Sequence, residues 1–228
     1  MLTFDQVVFQ RDGFELRADF TFEGSGIAAV IGPSGGGKST LLSLIAGFDL
    51  PDKGVVRWGD LDLAPLAPGD RPVAVLFQDN NLFPHLDVLT NVALGASPLA
   101  RPSDAAKTRA RQALIRVGLE GFEHRLPGAL SGGQQSRAAL ARILLTDRAI
   151  VLMDEAFSAL GPALRVEMLE LVEELLGDRT ILMVTHDPED ARRMARQTIF
   201  VTGGTIYEPS DTEALFAAPH QELADYLT

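Results

Sequence analysis

The chain has 228 residues, 46% of them apolar and 22% charged, and a net charge of −11. That length buries the core of one or two domains, and the acidic balance argues against a free nucleic acid as partner, which asks for a basic face. With no cysteine there is no disulfide framework, cysteine metal site or cysteine nucleophile, a composition that fits a reducing cytosol. The first residues, MLTFDQVVFQRDGF, lack the basic stretch and apolar run of a signal peptide, and no run of 18 apolar residues is present to cross a bilayer.

Residues 2–9 and 15–22 read as strands. In the second, Leu16, Ala18, Phe20 and Phe22 alternate with Glu15, Arg17, Asp19 and Thr21, the pattern of a half-buried antiparallel strand. Ile27–Ile31 is a short, wholly apolar run, as in a parallel strand buried on both faces. It leads into Gly32-Pro33-Ser34-Gly35-Gly36-Gly37-Lys38-Ser39-Thr40, which matches G-x-x-x-x-G-K-[ST], and a helix begins at Lys38. Strand, glycine-rich turn and helix are the context in which that spacing cradles a triphosphate. The glycines let backbone amides wrap phosphates without Cβ clashes, and the helix start adds a favourable dipole. Lys38 is expected to neutralise the β- and γ-phosphates, and Ser39 to ligate Mg²⁺.

Val55–Trp58 belongs with the two N-terminal strands in a small antiparallel layer. Val73–Phe77 is another buried strand and ends at Gln78. From there to residue 148 the alternation stops: Asn80, Asn81, Pro84, Pro98 and Pro102 mark loops, then helices follow over about 104–117 and 134–145. The second opens on Leu130-Ser131-Gly132-Gly133-Gln134, where Ser131 suits an N-cap and two glycines free the amides of a helix start, making a second anion site. Ala149–Met153 runs into Asp154 and Glu155. At the C-terminal end of a parallel strand, Asp154 is placed to hold Mg²⁺ and Glu155 to act as general base on the attacking water. A helix starts at Pro162, a buried strand covers Ile181–Val184 ahead of His186, and another helix starts at Pro188. Gly203-Gly204 reads as a hairpin turn, and Ser210-Asp211-Thr212-Glu213 has capping-box spacing for a last short helix.

The fold class is therefore α/β, a P-loop NTPase core with a parallel sheet, an N-terminal antiparallel β-layer and an inserted helical subdomain. One domain over 1–228 is expected, with the core at about 1–78 and 149–228 and the helical part at about 79–148. The Leu130–Gln134 pentapeptide, lying between a phosphate loop and an acidic strand, resembles the signature of ABC ATPases, and the resemblance spans essentially the whole chain. It implies ATP and Mg²⁺ as ligands. It implies further that Gln78 is the glutamine that senses Mg²⁺ and water and communicates with a membrane partner. Ser158-Ala159-Leu160 takes the place of the D-loop, and His186 that of the switch histidine at the γ-phosphate. Ser131, Gly132, Gly133 and Gln134 of one copy then close over the ATP held by a second copy, so a homodimer is implied. The family stacks an aromatic on adenine upstream of the phosphate loop. Phe9 is the sequence's candidate, with a core position as the equal alternative. Two positions depart from the pattern: Gly161 stands where aspartate is usual, and Ala156 where importers often carry proline.

Arg71–Leu86, with Asn80-Asn81-Leu82-Phe83 at its centre, is similar to the ATP-binding subunits of bacterial thiamine importers, as are the short length, Ala46-Gly47-Phe48 and Phe157-Ser158-Ala159-Leu160. That likeness implies a peripheral protein on the cytoplasmic side of the bacterial inner membrane. Its partners are an integral permease and a periplasmic solute-binding protein, and it makes no direct contact with the solute. Other cargo (ferric iron, another cation or a phosphorylated metabolite), a non-transport ABC ATPase of DNA repair or translation, and a simple P-loop kinase are the alternatives. The long coiled-coil or zinc insertions of the second are not visible in the sequence, nor is an acceptor site for the third.

Overall fold

Strand β1 (Leu2–Arg11) turns through Asp12-Gly13, both at positive φ (51° and 83°), into antiparallel β2 (Phe14–Phe22). Asp-Gly is the pair that a two-residue hairpin of this handedness selects. This belongs to a computed structural model that describes residues 1–99 and 101–227. The chain continues through β3 (Gly26–Ile31), α1 (Lys38–Ala46), β4 (Lys53–Trp58), β5 (Leu61–Asp62), β6 (Val73–Phe77), α2 (Val88–Ala93), α3 (Asp104–Arg116) and α4 (Gly132–Leu144). It closes with β7 (Ile150–Asp154), α5 (Pro162–Leu176), β8 (Thr180–Val184), α6 (Pro188–Met194), β9 (Gln197–Thr202), β10 (Thr205–Ile206), β11 (Ser210–Asp211), α7 (Thr212–Ala217) and α8 (Gln221–Leu227).

Two compact units result. One comprises residues 1–73, 150–154 and 177–228, the other 74–149 and 155–176. In the first, the strands run in the order β5-β4-β1-β2-β10-β9-β3-β8-β7, with β11 on β9. β9, β3, β8 and β7 are mutually parallel, so their first-to-last residues point the same way. Ile27–Ile31, Ile150–Met153 and Ile181–Val184 are almost completely buried, as strands covered on both faces must be. Each such Ile, Leu or Val contributes roughly 1.5–3 kcal/mol by leaving water. α1 packs on β7 and α6 on β3. The antiparallel layer of β1, β2, β4 and β5 lies on the β10 side of the same sheet, where Phe4 and Phe20 stack at 4.9 Å between centroids.

The second unit is helical. Asp87 caps α2 at the amide of Thr90 (2.8 Å), and Ser103 caps α3 at Ala106 (3.2 Å). α2, α3 and α4 pack against one another through Val88, Val92, Ala110, Leu114, Ala138 and Leu140, all fully buried, and α5 packs on α4.

The sequence reading omitted α2 and α8, each only six or seven residues long. It started α4 two residues late. The cap of α7 also differs: Asp211, not Ser210, accepts from Ala214 N (2.9 Å), because the helix begins at Thr212, directly after Asp211. α5 groups with the helical unit, which is therefore wider than the stretch 79–148.

Candidate functional site

Three chemistry-bearing turns leave the same ends of three adjacent strands in the first unit. The phosphate loop follows β3, His186 follows β8, and Asp154 ends β7. Register fixes them at one level, because Val184 pairs with Val30 on one side and with Asp154 on the other. Ligands of open parallel sheets bind beyond these strand ends.

The phosphate loop is shaped by its neighbours. A Cβ on Gly32 (φ 145°) would lie 1.9 Å from the carbonyl oxygen of Val201 on β9. Behind it, the β9–β10 hairpin turns through Gly203-Gly204, and the amide of Gly204 donates to Gly36 O at 3.0 Å. The turn foreseen from the sequence thus also buttresses the loop. Gly37, at φ 117°, precedes α1, and no side chain caps that helix start. Lys38 is buried, and its ammonium donates to the carbonyls of Gly32 (2.7 Å) and Pro33 (2.9 Å), which keeps the cation folded over the loop. Backbone donors at an uncapped helix start with a held cation suit a triphosphate. At the far end of α1, fully buried Arg71 donates to Leu44 O (2.7 Å) and Ile45 O (3.0 Å), a cation on the last carbonyls of the helix. Burial pushes its guanidinium pKa down.

The turn after β8 is built by side chains around His186. Thr185 Oγ1 donates to Asp190 Oδ2 (2.9 Å) and accepts from the amide of Asp187 (3.1 Å). Asp187 then caps α6 at Glu189 N (3.0 Å). The hydroxyl of Tyr226 on α8 reaches His186 O at 3.4 Å. His186 itself is exposed. Asp154 is half-buried at the strand end, and Glu155, next in the chain, takes φ 48°. A non-glycine residue in the left-handed region costs about 1 kcal/mol, and such strain clusters where a side chain must be aimed.

In the second unit, Gln78 is exposed just past β6, and Asn80 and Asn81 follow it at φ 58° and 48°. Ser131 and Gln134 form a complete capping box: Ser131 Oγ accepts from Gln134 N (3.3 Å), and Gln134 Oε1 accepts from Ser131 N (2.9 Å). A Cβ on Gly133 would lie 2.5 Å from Leu164 Cδ2 on α5, so a larger residue there would have to push aside the end of a half-buried leucine side chain. The Oγ of Ser158 is buried without a hydrogen-bond partner. A Cβ on Gly161 would meet no atom within 4 Å.

Phe9 is 7% exposed, on the core face of β1. The reason is a bulge between Phe4 and Val7, with Gln6 at φ 48°, which shifts the inward positions from even to odd numbers. Strict alternation from Leu2 and Phe4 would have turned Phe9 outward. The aromatic beside the phosphate loop is half-buried Phe14, whose ring edge would be 3.2 Å from a Cβ on Gly37. The β1–β2 hairpin carries it there, and sequence reading missed it because only the hairpin's return brings it close.

Among the described residues, no helix is long and apolar enough to cross a membrane, and no cluster of three His, Cys, Asp or Glu side chains could hold a metal ion unaided. Mg²⁺ held by Ser39, Asp154 and phosphate oxygens is compatible with that donor set, since this ion usually takes few protein ligands.

Comparison with known proteins points one way. Residues 16–158 match the family model described as ABC transporter. The thiamine import ATP-binding protein ThiQ of Cereibacter sphaeroides is 54% identical over 100% of this chain and 99% of its own length. That of a Ruegeria species is 49% identical over 100% and 99%. Among solved structures, the dimeric structure of a bacterial ABC transporter cassette superposes with a TM-score of 0.78 at 27% identity, covering 93% of this chain and 99% of that one.

Proposed function

The chain belongs to the ABC transporter family, and from that premise we propose that it is the ATP-hydrolysing subunit of a bacterial thiamine importer. The observation that carries the cargo is identity of about half over whole-length relatives named for thiamine import, together with the Asn80–Phe83 stretch. ATP hydrolysis rests on the level arrangement of phosphate loop, Asp154 and His186 on three adjacent strands.

Each residue then has a task. The amides of Gly32–Thr40 and the Lys38 ammonium bind the β- and γ-phosphates. The Phe14 ring stacks on adenine in place of Phe9. Ser39 and Asp154 would hold Mg²⁺ and Gln78 would sense it, and the ion would supply charge neutralisation on the phosphates. Glu155, aimed by its left-handed backbone, accepts the proton of the attacking water, and His186 donates to the γ-phosphate. Ser131, Gly132, Gly133 and Gln134 come from the second copy of a homodimer, as the dimeric relative's assembly suggests. The stretch Gln78–His85 meets a separate permease at the cytoplasmic face of the inner membrane, and a periplasmic binding protein delivers the solute on the other side.

Uptake of labelled thiamine in source cells tests the reading, native chain against Glu155→Gln at equal expression. Loss of uptake together with an ATP-dependent dimer of the purified variant is the expected result. Undiminished uptake with a variant whose ATPase is dead removes thiamine as cargo, and a variant that stays monomeric in ATP removes the shared site.

A further inference from the structure

The segment from Gln78 to Asp87 has almost no regular structure, yet two side chains hold it. Arg142, near the end of α4, donates from Nη1 to Asn81 O (2.7 Å) and from Nη2 to Asn80 O (3.1 Å). Asn91 of α2, fully buried, donates to the carbonyls of Phe83 (3.0 Å), Leu86 (2.9 Å) and Asp87 (3.1 Å) and accepts from Phe83 N (2.7 Å). Between these anchors Phe83 remains 46% exposed.

The Arg142 anchor is the demanding one. It closes on two consecutive non-glycine residues in the left-handed region, a conformation that L side chains seldom adopt even singly. Asn80 is nearly buried, and its Oδ1 has no hydrogen-bond partner, so that acceptor does not hold the turn. Two adjacent backbone carbonyls spaced for one guanidinium match the rigid fork of arginine and not the point charge of lysine. Arg142 also sits about three turns along the helix whose first turn carries Ser131 and Gln134.

We infer that Arg142 is a positioning residue that fastens α4 to the Asn80-Asn81 turn, so that α4 and the segment between Gln78 and the exposed Phe83 move as one piece. Movement felt at Ser131, where the second copy's ATP would lie, then reaches the permease-facing surface through a rigid helix and one two-pronged bond. This rests on the proposed transport role, but the latch itself does not need the cargo to be thiamine.

Hydrogen exchange on the full chain, native against Arg142→Lys, tests the latch directly. Amides of residues 79–86 are expected to exchange ~10-fold faster in the variant while those of α4 keep their protection. The complex with its co-purified permease, reconstituted in liposomes, tests transmission. Permease stimulation of ATP hydrolysis is expected to fall by about 10-fold with KM for ATP changed less than about twofold, a split that general misfolding would not give. Unchanged exchange overturns the latch, and faster exchange with full stimulation overturns transmission. Asn81→Gly, which keeps the carbonyl that Arg142 grips, serves if Arg142→Lys folds poorly: near-native stimulation supports the proposal, and a loss as large as that expected for Arg142→Lys overturns it. A native complex that is stimulated by its permease but moves no thiamine sinks the cargo reading and leaves the latch standing.

Discussion

Helices α1 and α4 both start at glycine-rich turns, yet their first turns are finished differently. α1 begins after Gly37 with no side-chain cap, which suits it to a ligand entering the phosphate loop. α4 begins with a closed capping box in which Ser131 and Gln134 satisfy each other's backbone. The first start is organised by chain that is distant in sequence, since Val201 and Gly204 press on or bond to the loop. The second is organised locally. A start that other strands hold open costs folding energy and gains it back on ligand binding, whereas a self-capped start is already stable and must be reached by a ligand from outside the helix. That difference fits the proposed division, in which the loop binds ATP within its own subunit and the pentapeptide meets ATP from the partner copy.

Breaking the first start has the largest expected effect. Gly32→Ala puts a methyl where Val201 O already stands, and neither backbone can give. A loss of about 3 kcal/mol in stability, with ATP binding reduced ~100-fold or more, is expected by chemical denaturation and nucleotide titration. Retained nanomolar-to-micromolar ATP binding in that variant would show that the loop reorganises without β9, and the contrast with α4 would fail.

Next comes the base. Phe14→Ala is expected to weaken ATP by about 10-fold and Phe9→Ala to destabilise the fold with little change in ATP affinity. The reverse pattern would return the stacking role to Phe9. This pair shows where the sequence was legible and where it was not. The placement of Gly32–Thr40, Asp154 and His186 at aligned strand ends could be read because each follows an apolar run whose end is visible, and parallel strands align their ends by topology alone. Phe9 could not, because one extra residue in β1 reverses inside and outside. Arg71 and Arg142 could not, because a charge held against backbone carbonyls has the same letter as a charge in water. α2 escaped because six residues hold less than two turns, too few to display a period.

Breaking the second start is milder. Ser131→Ala removes one of two reciprocal bonds and is expected to cost about 1 kcal/mol in the isolated chain. ATP affinity of the isolated chain is expected to stay within about twofold, because that ATP sits on the chain's own phosphate loop, while hydrolysis by the dimer falls. A variant with weakened ATP binding as a monomer would place Ser131 in its own subunit's site and undo the division between the two starts.

The smallest structural effect is expected at Gly161, two residues beyond exposed Ala159. The space around it is open, with no atom within 4 Å of where a Cβ would stand, and its φ is not in the left-handed region, so Gly161→Asp should fit with a stability change under about 0.5 kcal/mol. Any functional change must then come from outside the subunit. In the proposed homodimer an added carboxylate here would face the second copy, so cooperativity of ATP hydrolysis should rise while single-site ATP binding stays put. If the Hill coefficient of the variant equals that of the native chain, this position carries no signal between subunits. If instead stability falls by more than about 1 kcal/mol, Gly161 is needed by the fold and its departure from the family pattern has a local cause.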